Sequence, residues 1–194
     1  MNLAVEGLAD AVAGRKLLEQ GGHAVGTVVV KRGKTELDPL VLRLNRAARH
    51  APWLVLRDAD RDGGDCPVRL RQELLPEGQD NGLCLRLPVR SLEAWLLADA
   101  EAFSGHFHVR AALVPVAPEL EVSAKGALVR ACRGSTSRAV RASMCRPDDK
   151  PGPGYTPGLT GFVRERWTPL RAAERSPSLA RAITDVARRF DGLV

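Results

Sequence analysis

Residues 53–64 read Trp53-Leu54-Val55-Leu56-Arg57-Asp58-Ala59-Asp60-Arg61-Asp62-Gly63-Gly64. Four apolar residues in a row, without polar alternation, describe a strand buried on both faces. That is the habit of a parallel sheet covered by helices. The strand runs directly into acids and glycines, and ligands of open α/β sheets collect at the carboxyl ends of strands.

The pattern on either side agrees. Leu3-Ala4-Val5 is a short apolar strand ending at Glu6-Gly7, followed by a helix over residues 8–20 that Gly21-Gly22 stops. Residues 24–31 predict a second strand centred on Val28-Val29-Val30. Gly33 breaks it, and Thr35 can cap a helix reaching about residue 50. After the central strand come a helix over 66–75, a strand over 83–89, and a helix over 92–99 started by Ser91. This alternation predicts a parallel α/β sheet with right-handed crossovers. Beyond residue 100 the rhythm stops. Helices are expected at 124–132 and at 178–190, the latter opened by Ser176-Pro177. Residues 146–161, with Pro147, Pro151, Pro153 and Pro157, read as a loop. The expected organisation is an α/β domain over 1–105 and a mainly helical extension over 106–194 that contains the Pro/Gly-rich loop.

Hydrophobic residues make up 44% of the chain and charged residues 27%, a globular composition. No apolar run approaches the ~20 residues that span a bilayer. The opening Met1-Asn2-Leu3-Ala4-Val5-Glu6 lacks a basic region, so no secretory signal and a cytoplasmic location are expected. Cys66, Cys84, Cys132 and Cys145 form no CxxC, which predicts reduced, mostly buried thiols and no structural zinc. His106 and His108 would share a face on an extended segment, but no third ligand is near. The net charge of +6 fits a polyanionic partner.

The acids carry the chemistry. Glu6 ends the first strand, and Asp58 and Asp60 follow the third, two apart and therefore able to face one pocket if extended. Asp10 lies one helical turn beyond Glu6, and Glu93 lies just past the fourth strand. Five carboxylates on one rim repel each other, and a shared cation relieves that repulsion. An oxygen-only set suits Mg²⁺ or Mn²⁺, ions that clamp a phosphodiester and activate water. A lone Asp-x-Asp is common in exposed loops; the combination is what points to a site.

Val5-Glu6-Gly7-Leu8-Ala9-Asp10 together with Leu56-Arg57-Asp58-Ala59-Asp60 resembles the Toprim fold, which has a glutamate after its first strand and Asp-x-Asp after its third. The run Arg90-Ser91-Leu92-Glu93-Ala94-Trp95-Leu96-Leu97-Ala98-Asp99 is similar to the Ser-x-Glu-x-Trp segment of compact Toprim-like proteins, the DUF4276 group, related to the OLD-family nucleases of phage defence. The resemblance covers about the first 100 residues and is softer at Lys125 and over 173–181. It implies a metal-dependent nuclease acting on DNA or RNA. Glu6, Asp10, Asp58, Asp60 and Glu93 would hold one or two metals, with Glu6 in particular as general acid/base. OLD-type nucleases also use a lysine beyond the acidic core, for which Lys125 is the candidate; a solvated surface lysine is the alternative. Asp62 would bind metal through water or belong to the turn. Ser91 would cap its helix or contact phosphate. Trp53 and Trp95 fit the core better than a base-stacking role. No ATPase domain is attached, so the resemblance implies a separate ATPase chain as partner.

Two motifs fail on inspection. Gly33-Lys34-Thr35 needs a glycine at position 28 to be a P-loop and finds Val28. Asp58 to Gly63 opens like a calcium loop, but the twelfth position is Arg69. A haloacid-dehalogenase-type phosphatase is a rival, with Lys125 and Asp148-Asp149 as its later residues. It requires the Asp-x-Asp after the first strand and leaves Glu6 and Glu93 without roles. A non-catalytic regulatory or binding subunit on the same scaffold is a third reading. Arg130, Arg133, Arg138, Arg141 and Arg146 would contact nucleic-acid backbone or a protein, or form a solvated face.

Overall fold

The computed structural model describes residues 1–60 and 66–190. Its first half alternates strand and helix: β1 (Asn2–Val5), α1 (Leu8–Gln20), β2 (Val28–Val30), α2 (Lys34–Ala47), β3 (Trp53–Leu56), α3 (Pro67–Leu74), β4 (Leu83–Arg86) and α4 (Leu92–Ala98). The helices α5 (Ala100–Phe107), α6 (Ala124–Arg133), α7 (Arg138–Met144), α8 (Tyr155–Glu165), α9 (Pro169–Ala173) and α10 (Pro177–Phe190) follow. The four strands form one all-parallel sheet in the order β2-β1-β3-β4, an α/β fold with helices on both faces and a mainly helical C-terminal part.

Side-chain alternation along the strands builds two apolar layers. Leu3, Val5, Leu54, Leu56 and Cys84 face one side, where they join α1, α4 and the helices after residue 100. Ala4, Val55, Leu83 and Leu85 face the other, against Leu37, Val41 and Leu44 of α2 and Leu70 of α3. Burial on both faces is why β3 reads as an unbroken apolar run. The buried apolar residues after residue 100 join the first layer: Phe103, Leu128, Phe162, Trp167 and Leu179 share one core with β1 and β3. Every residue of α4 is buried, and its Trp95 indole donates to Ser178 Oγ at 2.7 Å. Gly14 lets α1 lie close on the sheet, since a Cβ there would come within 2.7 Å of Leu3 Cδ1. That close approach outweighs the ~1 kcal/mol that a mid-helix glycine costs.

Several boundaries differ from the sequence reading. β2 is only Val28–Val30, an edge strand paired with β1 from Leu3 to Val5. β4 stops at Arg86 and leads into Leu87-Pro88, where proline has no N–H for a ladder. Gly33 rather than Thr35 holds the N-cap of α2, with φ of 92° that favours glycine. The loop expected over 146–161 ends at Gly154, and α8 begins within it. Pro157 is tolerated there because first-turn N–H groups have no helical partner. His106 lies on α5 and His108 is its left-handed C-cap at φ 50°, so the two do not share an extended face. Cys84 and Cys132 are buried as expected and Cys66 is exposed; all four thiols are free. Among the described residues no helix is long and apolar enough to cross a membrane.

Candidate functional site

β1 and β3 are adjacent and in register, Val5 opposite Leu56, so the residues after them leave the sheet at one level. Glu6 and Asp58 meet there, and Glu6 Oε1 accepts the Asp58 N–H at 2.9 Å. Asp58 Oδ1 accepts the N–H of Leu92 at 2.9 Å, at the start of α4. Its neighbour Arg57, 2% exposed, binds both carboxylate oxygens of Asp38 and also donates to the Asp58 carbonyl. Asp10 sits in the first turn of α1, where a negative charge is favoured by the helix dipole. Glu93, 6% exposed, is in the first turn of α4. Ser91 Oγ donates to Glu93 Oε2 at 2.6 Å, and Tyr155 Oη donates to Oε1 at 2.9 Å. Glu6, Asp10, Asp58, Glu93, Lys125 and Tyr155 together line a cleft of about 380 Å³.

Burial dominates the electrostatics. It raises the Asp10 carboxyl to about 7, helped by the negative charges of Glu93 and Glu6. Burial likewise holds the Asp58 carboxyl well above the usual range, with Asp10, Glu93 and Glu6 adding to it. Glu6 is raised by burial, and the Asp58 N–H and Arg57 pull against that rise. The same desolvation, reinforced by the Glu93 carboxylate, drives the Tyr155 phenol upward, so its hydroxyl stays protonated and donates.

Asp60 does not line this cleft. Its backbone is left-handed at φ 49°, which breaks the extended alternation expected of Asp-x-Asp. The side chain pairs with Lys34 at 3.2 Å and is 46% exposed. With Asp58, Arg90, Ser91, Ser123 and Lys125 it lines an adjoining recess of about 290 Å³. Asp62 lies outside the described residues. Ser91 occupies the N-cap position of α4 but makes no capping bond, because its hydroxyl is turned to Glu93. Lys125 Nζ is 3.7 Å from Glu93 Oε1. Trp95 is fully buried and Trp53 partly so.

Other sequence candidates lie elsewhere. Asp148 pairs with Lys150 and Asp149 with Arg133, and neither lines the cleft. Of the arginine run, Arg130 pairs with Glu121, Arg141 binds the Ser135 carbonyl, and Arg133 binds the Pro147 and Arg146 carbonyls. These contacts brace the extension internally. Tyr155 was missed by sequence reasoning because it stands in a Pro/Gly-rich stretch. The available signal was that it is the single tyrosine in the chain.

Among the described residues no group of three or more His, Cys, Asp or Glu side chains is arranged to hold a metal ion as it stands. The donor set nonetheless suits a hard divalent cation: four carboxylates share one cleft, burial pushes three of them toward protonation, and for Asp10 and Asp58 the charges of the neighbouring cleft acids add to that push. A cation placed there would offset both effects. No protein-family model, no curated protein and no solved structure matches this chain.

Proposed function

We propose that this chain is a divalent-metal-dependent nuclease that cleaves phosphodiester bonds of DNA or RNA, with Mg²⁺ or Mn²⁺ held by Glu6, Asp10, Asp58 and Glu93. The observation that carries the reading is the gathering of these four acids with Lys125 in one cleft at the carboxyl edge of a parallel sheet. Bound there, the ion would neutralise phosphate charge and make a water more acidic. Glu6, with one oxygen held by the Asp58 N–H, retains a second oxygen to accept a proton from water. Lys125 brings positive charge to the same cleft and suits an anionic substrate. Asp60, across the Asp58 wall, would contribute from the adjoining recess. A role in phage defence beside a separate ATPase chain follows from the Toprim resemblance alone.

One observation favours a second reading, a non-catalytic binding subunit. Oxygens of Glu6, Asp58 and Glu93 are already held by internal donors, as a metal-free module would require. Incubating the purified chain with supercoiled plasmid and with total RNA, in Mg²⁺ and in Mn²⁺, separates the two. Cleavage that is absent from an Asp58→Ala/Asp60→Ala control supports the nuclease and names its polymer. No cleavage and no metal binding supports the binding subunit.

A further inference from the structure

Glu93 is the meeting point of three elements. Ser91 precedes α4, Lys125 stands at the start of α6, and Tyr155 begins α8. Tyr155 Oη and Lys125 Nζ address the same oxygen, Oε1, at 2.9 and 3.7 Å. The first is a hydrogen bond and the second is beyond hydrogen-bond reach. Tyr155 is 7% exposed and its ring is fixed by packing, whereas the Lys125 side chain is 57% exposed on a flexible stem. The rigid donor thus holds the hydrogen bond to Oε1, and the mobile ammonium stands beside the same oxygen.

We propose that Tyr155 is the positioning residue of this cleft: its hydroxyl orients Glu93 toward a divalent cation and keeps Lys125 beside that carboxylate rather than bound to it. The inference rests on the metal-dependent reading above. Hydrogen-bond partners behind a ligating group typically change metal affinity 10- to 100-fold. Without the hydroxyl, Oε1 loses its donor, Lys125 closes onto it, and a carboxylate neutralised by lysine attracts a cation less.

The single tyrosine makes the test direct. Full-length protein labelled with carbon-13 at tyrosine Cζ gives one NMR signal, to be followed through a Mg²⁺ titration. Calorimetry measures Mg²⁺ affinity for the parent and Mn²⁺ affinity for the parent, Tyr155→Phe, Lys125→Met and the double variant. The expected result has three parts. The tyrosine signal moves over the Mg²⁺ range in which binding is measured. Tyr155→Phe, which keeps the ring, weakens Mn²⁺ binding about 10- to 100-fold. Lys125→Met then restores most of that affinity in the Phe background. An unmoved signal while the ion binds, or equal affinity of the parent and Tyr155→Phe, overturns the inference and leaves the metal reading standing. A loss that Lys125→Met does not relieve also overturns it, since a merely structural tyrosine would behave so. A parent that binds neither ion overturns the metal reading itself and this inference with it.

Discussion

The main-chain N–H of Asp58 donates to Glu6 Oε1 at 2.9 Å, so the ends of the two central strands are tied through the carboxylate of one and the backbone of the other. The donor is main-chain, so the bond does not depend on the Asp58 carboxylate and is retained by any substitution that keeps the N–H, which separates the chemistry of Asp58 from the geometry of Glu6.

Asp58→Ala should therefore abolish metal-dependent cleavage while the fold persists. Removing a buried acid also relieves its repulsion with Asp10, Glu93 and Glu6. Asp60→Ala should be milder, because Asp60 lies outside the cleft in an exposed pair with Lys34 worth about 0–1 kcal/mol. Parallel cleavage assays and melting curves check both. Equal losses from the two variants would put the reacting centre in the adjoining recess.

Metal-free stability should depend on pH. Asp10 titrates near 7 in the fold against 3.8 as a free side chain, so the folded state holds that proton more tightly than the unfolded chain. Its contribution is complete below 3.8 and is lost as pH rises through about 7. Stability in chelator should fall across that window, by at most about 1.4 kcal/mol per pH unit for one group. Asp58 and Glu6 shift in the same direction. Urea midpoints measured from pH 5 to about pH 8 read the slope, and added Mg²⁺ or Mn²⁺ should flatten it. A level profile in chelator removes the electrostatic basis for the cation.

Gly14→Val should destabilise the protein by about 1–3 kcal/mol, the usual cost of overpacking a filled core. The new Cβ meets Leu3 Cδ1 at 2.7 Å and Leu56 Cδ1 at 3.2 Å, and both leucines are fully buried. Thermal unfolding reads the loss. An unchanged melting temperature would mean that α1 can lift from the sheet freely.

Asp99 is fully buried and bound by the guanidinium of Arg171 through two bonds, at 2.5 and 2.9 Å. Arg171→Ala strands that carboxylate and should cost about 2 kcal/mol. The Thr168 N–H that remains on Asp99 limits the loss. Arg171→Ala/Asp99→Asn should recover part of it in chemical denaturation, and a double variant weaker than the single one would rule out an unpaired charge as the cause.

The α/β half was legible because its signals are local. Leu54, Val55 and Leu56 announce two-sided burial, and the acids after Val5 and Leu56 announce the strand ends. Asp60 shares a recess with Asp58 but stands apart from the cleft of the other four acids, because a single left-handed residue turns a side chain without any change in composition. Tyr155 was invisible for a different reason. Its partner Glu93 is 62 residues away in the chain on α4, and no periodicity encodes a contact that tertiary packing creates. Pro157 and Gly158 concealed the helix that carries it, since both are loop-forming residues that a first turn also accepts.

The shared apolar layer also bears on the order of synthesis. Glu6, Asp10, Asp58 and Glu93 leave the ribosome before Lys125 and Tyr155, which arrive with the helices that complete their layer. The acidic rim is thus made first and its cationic and phenolic wall last. A nascent chain carries a charged but unfinished centre, and a product halted before α8 would hold the carboxylates without the group that orients Glu93.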